Sequence, residues 1–241
     1  MASYSRTSID RLGDRLRDGV LTEADLRLLD EYRRSFGEAY ESVVTTIRSR
    51  LGLEPTGRPA KSTASIVEKL KRESMRLIQM QDIAGCRVVI NDTVRQERAV
   101  TALQGAFEKV SIVDRRTKPS YGYRAVHAII EFSGKPVEVQ IRTALQHFWA
   151  ELSEKLSDTV DPDIKYGGGP SVVRQFIDLI SKGIANVEDA ESHLSHIKST
   201  LISLPPGQQR DELERALISA EAATDEARDA LAHAIRTATP E

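Results

Sequence analysis

The chain has 241 residues, with 34 Lys and Arg against 36 Asp and Glu, 40% hydrophobic and 29% charged residues, and a formal charge of −2. This is the composition of a soluble globular protein with one sizeable core, which excludes collagen and a wholly disordered chain. Its single cysteine, Cys86, excludes an intramolecular disulfide and argues against a Cys-built zinc site; no apolar run nears the roughly 20 residues that cross a bilayer and Met1 to Asp10 is polar, so a cytoplasmic protein is expected.

The near-neutral total hides an asymmetry. Residues 186–241 hold eleven acidic and five basic side chains, so the tail is acidic and the body mildly basic. A basic body suits an anionic substrate such as a nucleotide.

Residues 1–18 show no clean period and read as frayed or irregular. Thr22 with Asp25 predicts an N-cap. From there Leu29, Tyr32, Phe36, Tyr40, Val43, Ile47 and Leu51 recur at spacings of three and four, predicting one amphipathic helix capped by Gly52. Residues 52–60 read as a loop, and a second helix is predicted from Ser62 to Leu77. A strand ends the run Gln81 to Ile90, and a helix follows over Val94 to Phe107. Val110 to Val113 reads as a strand and 114–122 as a basic turn. Tyr123 to Phe132 and Pro136 to Arg142 read as strands joined by a short hairpin turn. A helix is predicted from Thr143 to Leu156 and a Gly/Pro loop over 161–170.

Two long helices close the chain, separated by Leu204-Pro205-Pro206-Gly207. The first carries Val173, Ile177, Ile180, Ile184, Val187, Leu194 and Leu201 on one stripe, interrupted by Glu191 and Lys198. The second carries Leu213, Leu217, Ala220, Thr224, Ala227, Leu231 and Ala234. The reading is an antiparallel hairpin or a dimer seam on an α/β body. The expected organisation is a helical segment over 1–54, a catalytic domain over 55–166 and the hairpin over 171–241.

The chemistry concentrates in Val137-Glu138-Val139-Gln140-Ile141-Arg142. Alternation sends the three apolar residues to one face and Glu138, Gln140 and Arg142 to the other. Such a polar face fits either a functional surface or a solvated edge strand. Asp82 is a second carboxylate just before a strand. Two carboxylates on neighbouring strands suit Mg²⁺, which takes one or two acids plus substrate phosphates. Cations gather at Arg58, Lys61, Lys69, Lys71, Arg72 and Arg76, and again at Arg115, Arg116, Lys118 and Arg124 around Tyr121 and Tyr123. Both groups fit phosphate clamps, the second with base stacking. His127 lies four residues after Tyr123 and fits a phosphate contact, proton transfer or a structural hydrogen bond.

In order and spacing these segments resemble the synthetase domain of the RelA/SpoT family of alarmone synthetases. The match runs over about residues 55–166. It rests on Arg58…Lys61…Ser65-Ile66…Lys69-Leu70, Asp82-Ile83-Ala84-Gly85-Cys86-Arg87, Gly122-Tyr123-Arg124-Ala125-Val126-His127, Glu138-Val139-Gln140-Ile141-Arg142-Thr143 and His147-Phe148-Trp149-Ala150-Glu151. The resemblance implies an α/β (α+β) fold: a nucleotidyltransferase-like mixed sheet flanked by helices, with an N-terminal helix and a C-terminal hairpin. It implies transfer of the β,γ-pyrophosphate of ATP to the 3′-hydroxyl of GDP or GTP. It makes Asp82 and Glu138 the catalytic acids and Mg²⁺ ligands. Arg58, Lys61, Ser65, Lys69 and Arg87 would bind ATP, and Lys118, Tyr123, Arg124, His127, Gln140 and Arg142 the acceptor.

The chain departs from the family pattern twice. Arg58-Pro59-Ala60-Lys61 is one residue longer than the usual Arg-x-Lys. Asp114 to Tyr121 replaces the usual Asp-Tyr-Ile segment before the acceptor loop. No histidine precedes residue 127, so the hydrolase motif of long family members is not expected and a small stand-alone synthetase is. The alternatives are a toxin-type relative that modifies the 3′-terminal adenosine of tRNA or makes adenosine alarmones, and a nucleotide-binding regulator without catalysis. The acidic hairpin is expected to pack on its own body, with homo-oligomerisation or binding of an antitoxin as the second reading.

Overall fold

The structure, a computed structural model, describes residues 4–240. The chain divides into two compact units. The first holds the chain up to Val88, Thr101–Val113 and His127–Gln140. The second holds Val89–Val100, Asp114–Val126 and the chain from Ile141 onward. Strands β1 (Thr56–Arg58), β2 (Ala84–Ile90), β3 (Val110–Asp114), β4 (Val126–Phe132) and β5 (Lys135–Thr143) form a mixed sheet in the order β1-β2-β5-β4-β3. This is the α+β architecture the sequence predicts. β5 is therefore the central strand, so its polar residues do not line a solvated edge.

The first unit begins with α1 (Arg6–Asp18), where an irregular segment is expected. Ser5 and Ser8 cap it reciprocally, and Ile9, Leu12 and Leu16 are fully buried. Three apolar residues among seven charged ones make a narrow stripe, easily lost in a sequence reading. Arg17 fastens α1 by donating to the carbonyls of Leu70 (2.9 Å) and Met75 (2.7 Å). The single helix expected from Thr22 to Leu51 is two, α2 (Glu23–Arg34) and α3 (Gly37–Leu51). Its capping residues and its stripe are as read. The break comes at Ser35-Phe36, where the Ser35 hydroxyl donates to the Tyr32 carbonyl at 2.6 Å. Phe36 turns into the core, edge-on to Tyr32 with ring centroids 5.2 Å apart. Burying a whole aromatic ring outweighs the few helical hydrogen bonds lost there.

β1 falls where a loop is expected. It is short, exposed and centred on Gly57, so it has no alternation to detect. It pairs antiparallel with β2, with Gly57 opposite Cys86. A Cβ on Gly57 would sit 2.5 Å from the Cys86 Cα, so the close approach needs glycine. α4 (Thr63–Arg72) ends five residues before the expected Leu77, because Glu73 adopts extended angles. Leu77 instead starts a short 3₁₀ turn, fully buried. β4 and β5 join through Ser133 and Gly134, both with positive φ, the signature of a type I′ hairpin turn.

The second unit carries α5 (Thr93–Ala106) in its first part, then α6 (Ala144–Thr159), α7 (Ser171–Leu201) and α8 (Gln208–Ala238). Leu145, Trp149, Leu152, Ile177, Ile180, Ile184 and Ile235 form one apolar cluster among the last three helices. The α7 stripe is as read. The α8 stripe is corrected: Leu213, Ala227 and Ala234 are exposed, and beyond Leu217 the inward positions are Ala220, Glu221, Thr224, Arg228, Leu231, Ala232 and Ile235. The reason is electrostatic. The two residues that interrupt the α7 stripe meet opposite charges on α8: Glu191 with Arg228 at 2.6 Å, and Lys198 with Glu221 at 2.9 Å. A stripe chosen by apolarity alone misses positions filled by complementary charge.

Candidate active site

The donor-side residues lie in the first unit, Arg58 and Arg87 on the sheet and Lys61, Ser65 and Lys69 before and on α4. Thr56 stands opposite Arg87, and Arg58 is two residues from Thr56, so Arg58 and Arg87 share a face. Gly85 shares it too, and a Cβ there would lie 3.5 Å from the Cβ of Glu138 and 2.9 Å from its carbonyl oxygen. Glu138 and Gln140 therefore share the face of the two arginines, while Val137, Val139 and Ile141 are fully buried on the other face.

Glu138 is only 16% exposed. Its Oε1 lies 2.8 Å from His127 Nδ1, and its Oε2 accepts from Gln140 Nε2 at 2.8 Å. Burial pushes its pKa up, but the bond and charge of His127 and the Gln140 amide outweigh that and hold it below the usual carboxylate range. Glu138 is thus kept ionised.

Asp82 sits just before β2 and is also 16% exposed. Lys61 reaches its Oδ2 at 2.8 Å and Lys69 its Oδ1 at 2.9 Å. Burial again opposes ionisation, and the two lysines override it, so Asp82 also lies below its ordinary value. The positions of the lysines are set by the backbone. The Lys61 amide donates to the Ile83 carbonyl at 2.6 Å, tying the segment before α4 to the start of β2. Ser62 caps α4, and one turn later Lys69 lies on the same side as Ser65, whose hydroxyl accepts from Ser62 at 2.8 Å.

The remaining acceptor-side residues, apart from His127 and Gln140, lie in the second unit. A tight turn is closed by Ser120 and Tyr123, which exchange backbone hydrogen bonds of 3.3 and 3.0 Å. Tyr121 and Gly122 both take positive φ, so Tyr123 belongs to the turn and β4 begins three residues later than expected. The Arg142 guanidinium lies over the Tyr123 ring, 5.1 Å from its centroid, and donates to the phenol oxygen at 3.0 Å. Tyr121 is exposed on the turn and Lys118 is exposed in the preceding loop. Arg116 is clamped by Asp114 (2.5 Å) and Glu97 (2.6 Å), and Arg124 pairs with Glu188 at 3.4 Å. Three of the four loop cations keep company within the fold, since Arg115 donates to Ser120 at 2.6 Å.

Sequence reasoning passed over Glu188, Gln96, Gln146 and the side chain of Thr143, all nearly fully buried. A signal for Glu188 existed. It lies four residues after Ile184, so the helix turns this acid inward with the apolar stripe.

Among the described residues no group of three or more His, Cys, Asp or Glu side chains is placed to hold a metal ion. Mg²⁺ does not need one, because it binds through one or two carboxylates and fills its sphere with phosphates and water. Asp82 and Glu138 fit that requirement. The charge of Asp82 bears on Glu138, raising it, and both are ionised acids.

The sequence model described as "Region found in RelA / SpoT proteins" matches residues 57–157. A Mycobacterium tuberculosis protein described as uncharacterized is 30% identical over 211 residues, 80% of this chain and 77% of its own. The GTP pyrophosphokinase YjbM of Bacillus subtilis is 31% identical over 155 residues, 58% of this chain and 70% of its own. The crystal structure of small alarmone synthetase 1 from Bacillus subtilis, bound to its product pppGpp, superposes with a TM-score of 0.52 at 24% identity, over 73% of this chain and 98% of that one. Fold and relatives together define a pyrophosphotransferase of the small alarmone synthetase type. The chain belongs to the RelA/SpoT family. No helix among the described residues is long and apolar enough to cross a membrane.

Proposed function

We propose that this protein transfers the β,γ-pyrophosphate of ATP to the 3′-hydroxyl of GDP or GTP. One observation carries the reading. Glu138 is a buried carboxylate on the central strand, held ionised and oriented by His127 and Gln140. Such a group accepts a proton from a hydroxyl without first losing one of its own. In the reaction the 3′-oxygen bonds to the β-phosphorus, its proton passes to Glu138, and the bond from the α-phosphate bridge to the β-phosphorus breaks to release AMP.

Arg58 and Arg87, diagonal neighbours on one face of the sheet, fit the adenine of ATP. Lys61, Ser65 and Lys69 fit its phosphates, two cations held at Asp82 and a hydroxyl one turn before Lys69. Mg²⁺ held by Asp82 and Glu138 would neutralise phosphate charge during transfer. On the acceptor side, Tyr123 backed by Arg142 fits a purine base, and Arg124 and Lys118 fit its phosphates. The named activity of YjbM supports the guanosine acceptor.

The test is label transfer. Purified protein with Mg²⁺ and γ-labelled ATP is offered GDP, GTP, ADP or total tRNA in separate reactions. Label is expected in a guanosine tetra- or pentaphosphate, and Glu138→Gln is expected to lower the rate by about 10²–10⁴ while the circular dichroism spectrum is unchanged. Label on tRNA alone would replace this reading with a translation-blocking toxin. Full activity in Glu138→Gln would overturn the catalytic assignment.

A further inference from the structure

The C-terminal hairpin lies outside the residues matched by the family, yet α7 sends one acidic side chain into the second unit's polar interior. Glu188 is 4% exposed. Its Oε1 accepts from the Thr143 hydroxyl at 2.8 Å and from Gln146 Nε2 at 2.7 Å, and its Oε2 pairs with Arg124 Nε at 3.4 Å. Gln146 is in turn tied to Gln96, which donates to its Oε1 at 2.9 Å and to the Ile141 carbonyl at 2.8 Å. Gln96 also accepts from Arg116 at 3.2 Å. One buried network thus joins two cations of the acceptor loop to the end of β5, the start of α6 and the middle of α7.

An apolar residue at this inward position would simply extend the α7 stripe, whereas a buried acid is costly. Burial raises the pKa of Glu188 above its ordinary value, against the contacts of Thr143, Arg124 and Gln146. A titratable acid here therefore calls for a reason other than packing. Arg124 supplies one. Glu188 takes its Nε, and its Nη nitrogens make no hydrogen bond among the described residues. Arg116, Arg124 and Glu188 also line one cleft of about 820 Å³, together with Ser192, Ser195 and His196. An arginine held by one edge beside an open cleft is oriented to offer its other edge to an oxyanion.

Resting on the transferase reading above, we infer that Glu188 is a positioning residue for acceptor binding, acting through Arg124. The hairpin is then part of the acceptor machinery. Transfer from ATP to GDP is measured for wild type, Glu188→Gln, Arg124→Gln and the double variant. Glu188→Gln is expected to raise the KM for GDP about tenfold, and to leave the KM for ATP within about twofold. In the Arg124→Gln background the same change is expected to add nothing to the GDP KM. An unshifted GDP KM in Glu188→Gln, or an equal further rise in the Arg124→Gln background, overturns the inference. A merely structural role would instead move both KM values and kcat together.

Should Glu188→Gln not fold, wild-type hydrogen exchange decides. GDP, and not a non-hydrolysable ATP analogue alone, is expected to slow exchange over residues 184–192. Unchanged exchange there with GDP bound overturns the inference. A wild type that labels no acceptor overturns instead the reading on which it rests.

Discussion

Asp82→Asn removes the charge that two half-buried lysines share. Lys61 and Lys69 lie 2.8 and 2.9 Å from its two oxygens, with the three side chains between 16% and 21% exposed. Each charge-assisted bond is worth about 1.5–3 kcal/mol, while asparagine keeps one acceptor oxygen and so retains one neutral bond of about 1 kcal/mol. The net loss is then about 2–5 kcal/mol. With a urea slope of roughly 2–3 kcal/mol per molar, the unfolding midpoint falls by about 1–2 M. Circular dichroism is the signal of choice, because the only tryptophan, Trp149, belongs to the second unit and Asp82 to the first. Adding Lys61→Met to Asp82→Asn removes one uncompensated cation and is expected to recover about half of the loss. Pyrophosphate transfer stays absent in both variants. A stability change under about 0.5 kcal/mol in Asp82→Asn would refute the reasoning, since it would mean that the lysines do not depend on this carboxylate.

The pH dependence follows from the same acids. Asp82 and Glu138 are both depressed below 3.8 and 4.5 respectively, so the stability they contribute is fully present above those values. It is lost as pH falls through their lower folded values, and acid titration of unfolding is expected to show the midpoint dropping only below about pH 4. Gly122→Ala places a Cβ 2.8 Å from Trp149 at φ +89°, and is expected to cost about 1–3 kcal/mol and to raise the acceptor KM while leaving the ATP KM unmoved. Cys86 is buried, and its thiol is pushed up to about 12 by burial and by Glu138, so a disulfide reagent is expected to label it only at the rate of unfolding. Rapid labelling of the native protein would contradict its burial.

The sequence by itself determined the chemistry-bearing strand. The alternation of β5 puts Glu138 and Gln140 on the face opposite Val137, Val139 and Ile141, because a strand's side-chain period is two wherever the strand sits. It determined the capping of α2 by Thr22 and Asp25 and the α7 stripe for the same reason: these are local rules. It did not show that β5 is central, since strand order arises from long-range pairing that no window of residues contains. Nor did it show the break at Phe36, where one ring's burial overrides helical continuity. The register of α8 was decided by Glu191 and Lys198 reaching across to Arg228 and Glu221. The partners of the acceptor-loop cations were decided in the same way. Glu188 lies 64 residues beyond Arg124, and only the folded chain brings a charge from the tail to a charge in the loop. Periodicity ranks residues by their own polarity, whereas a buried charge is placed by what it meets.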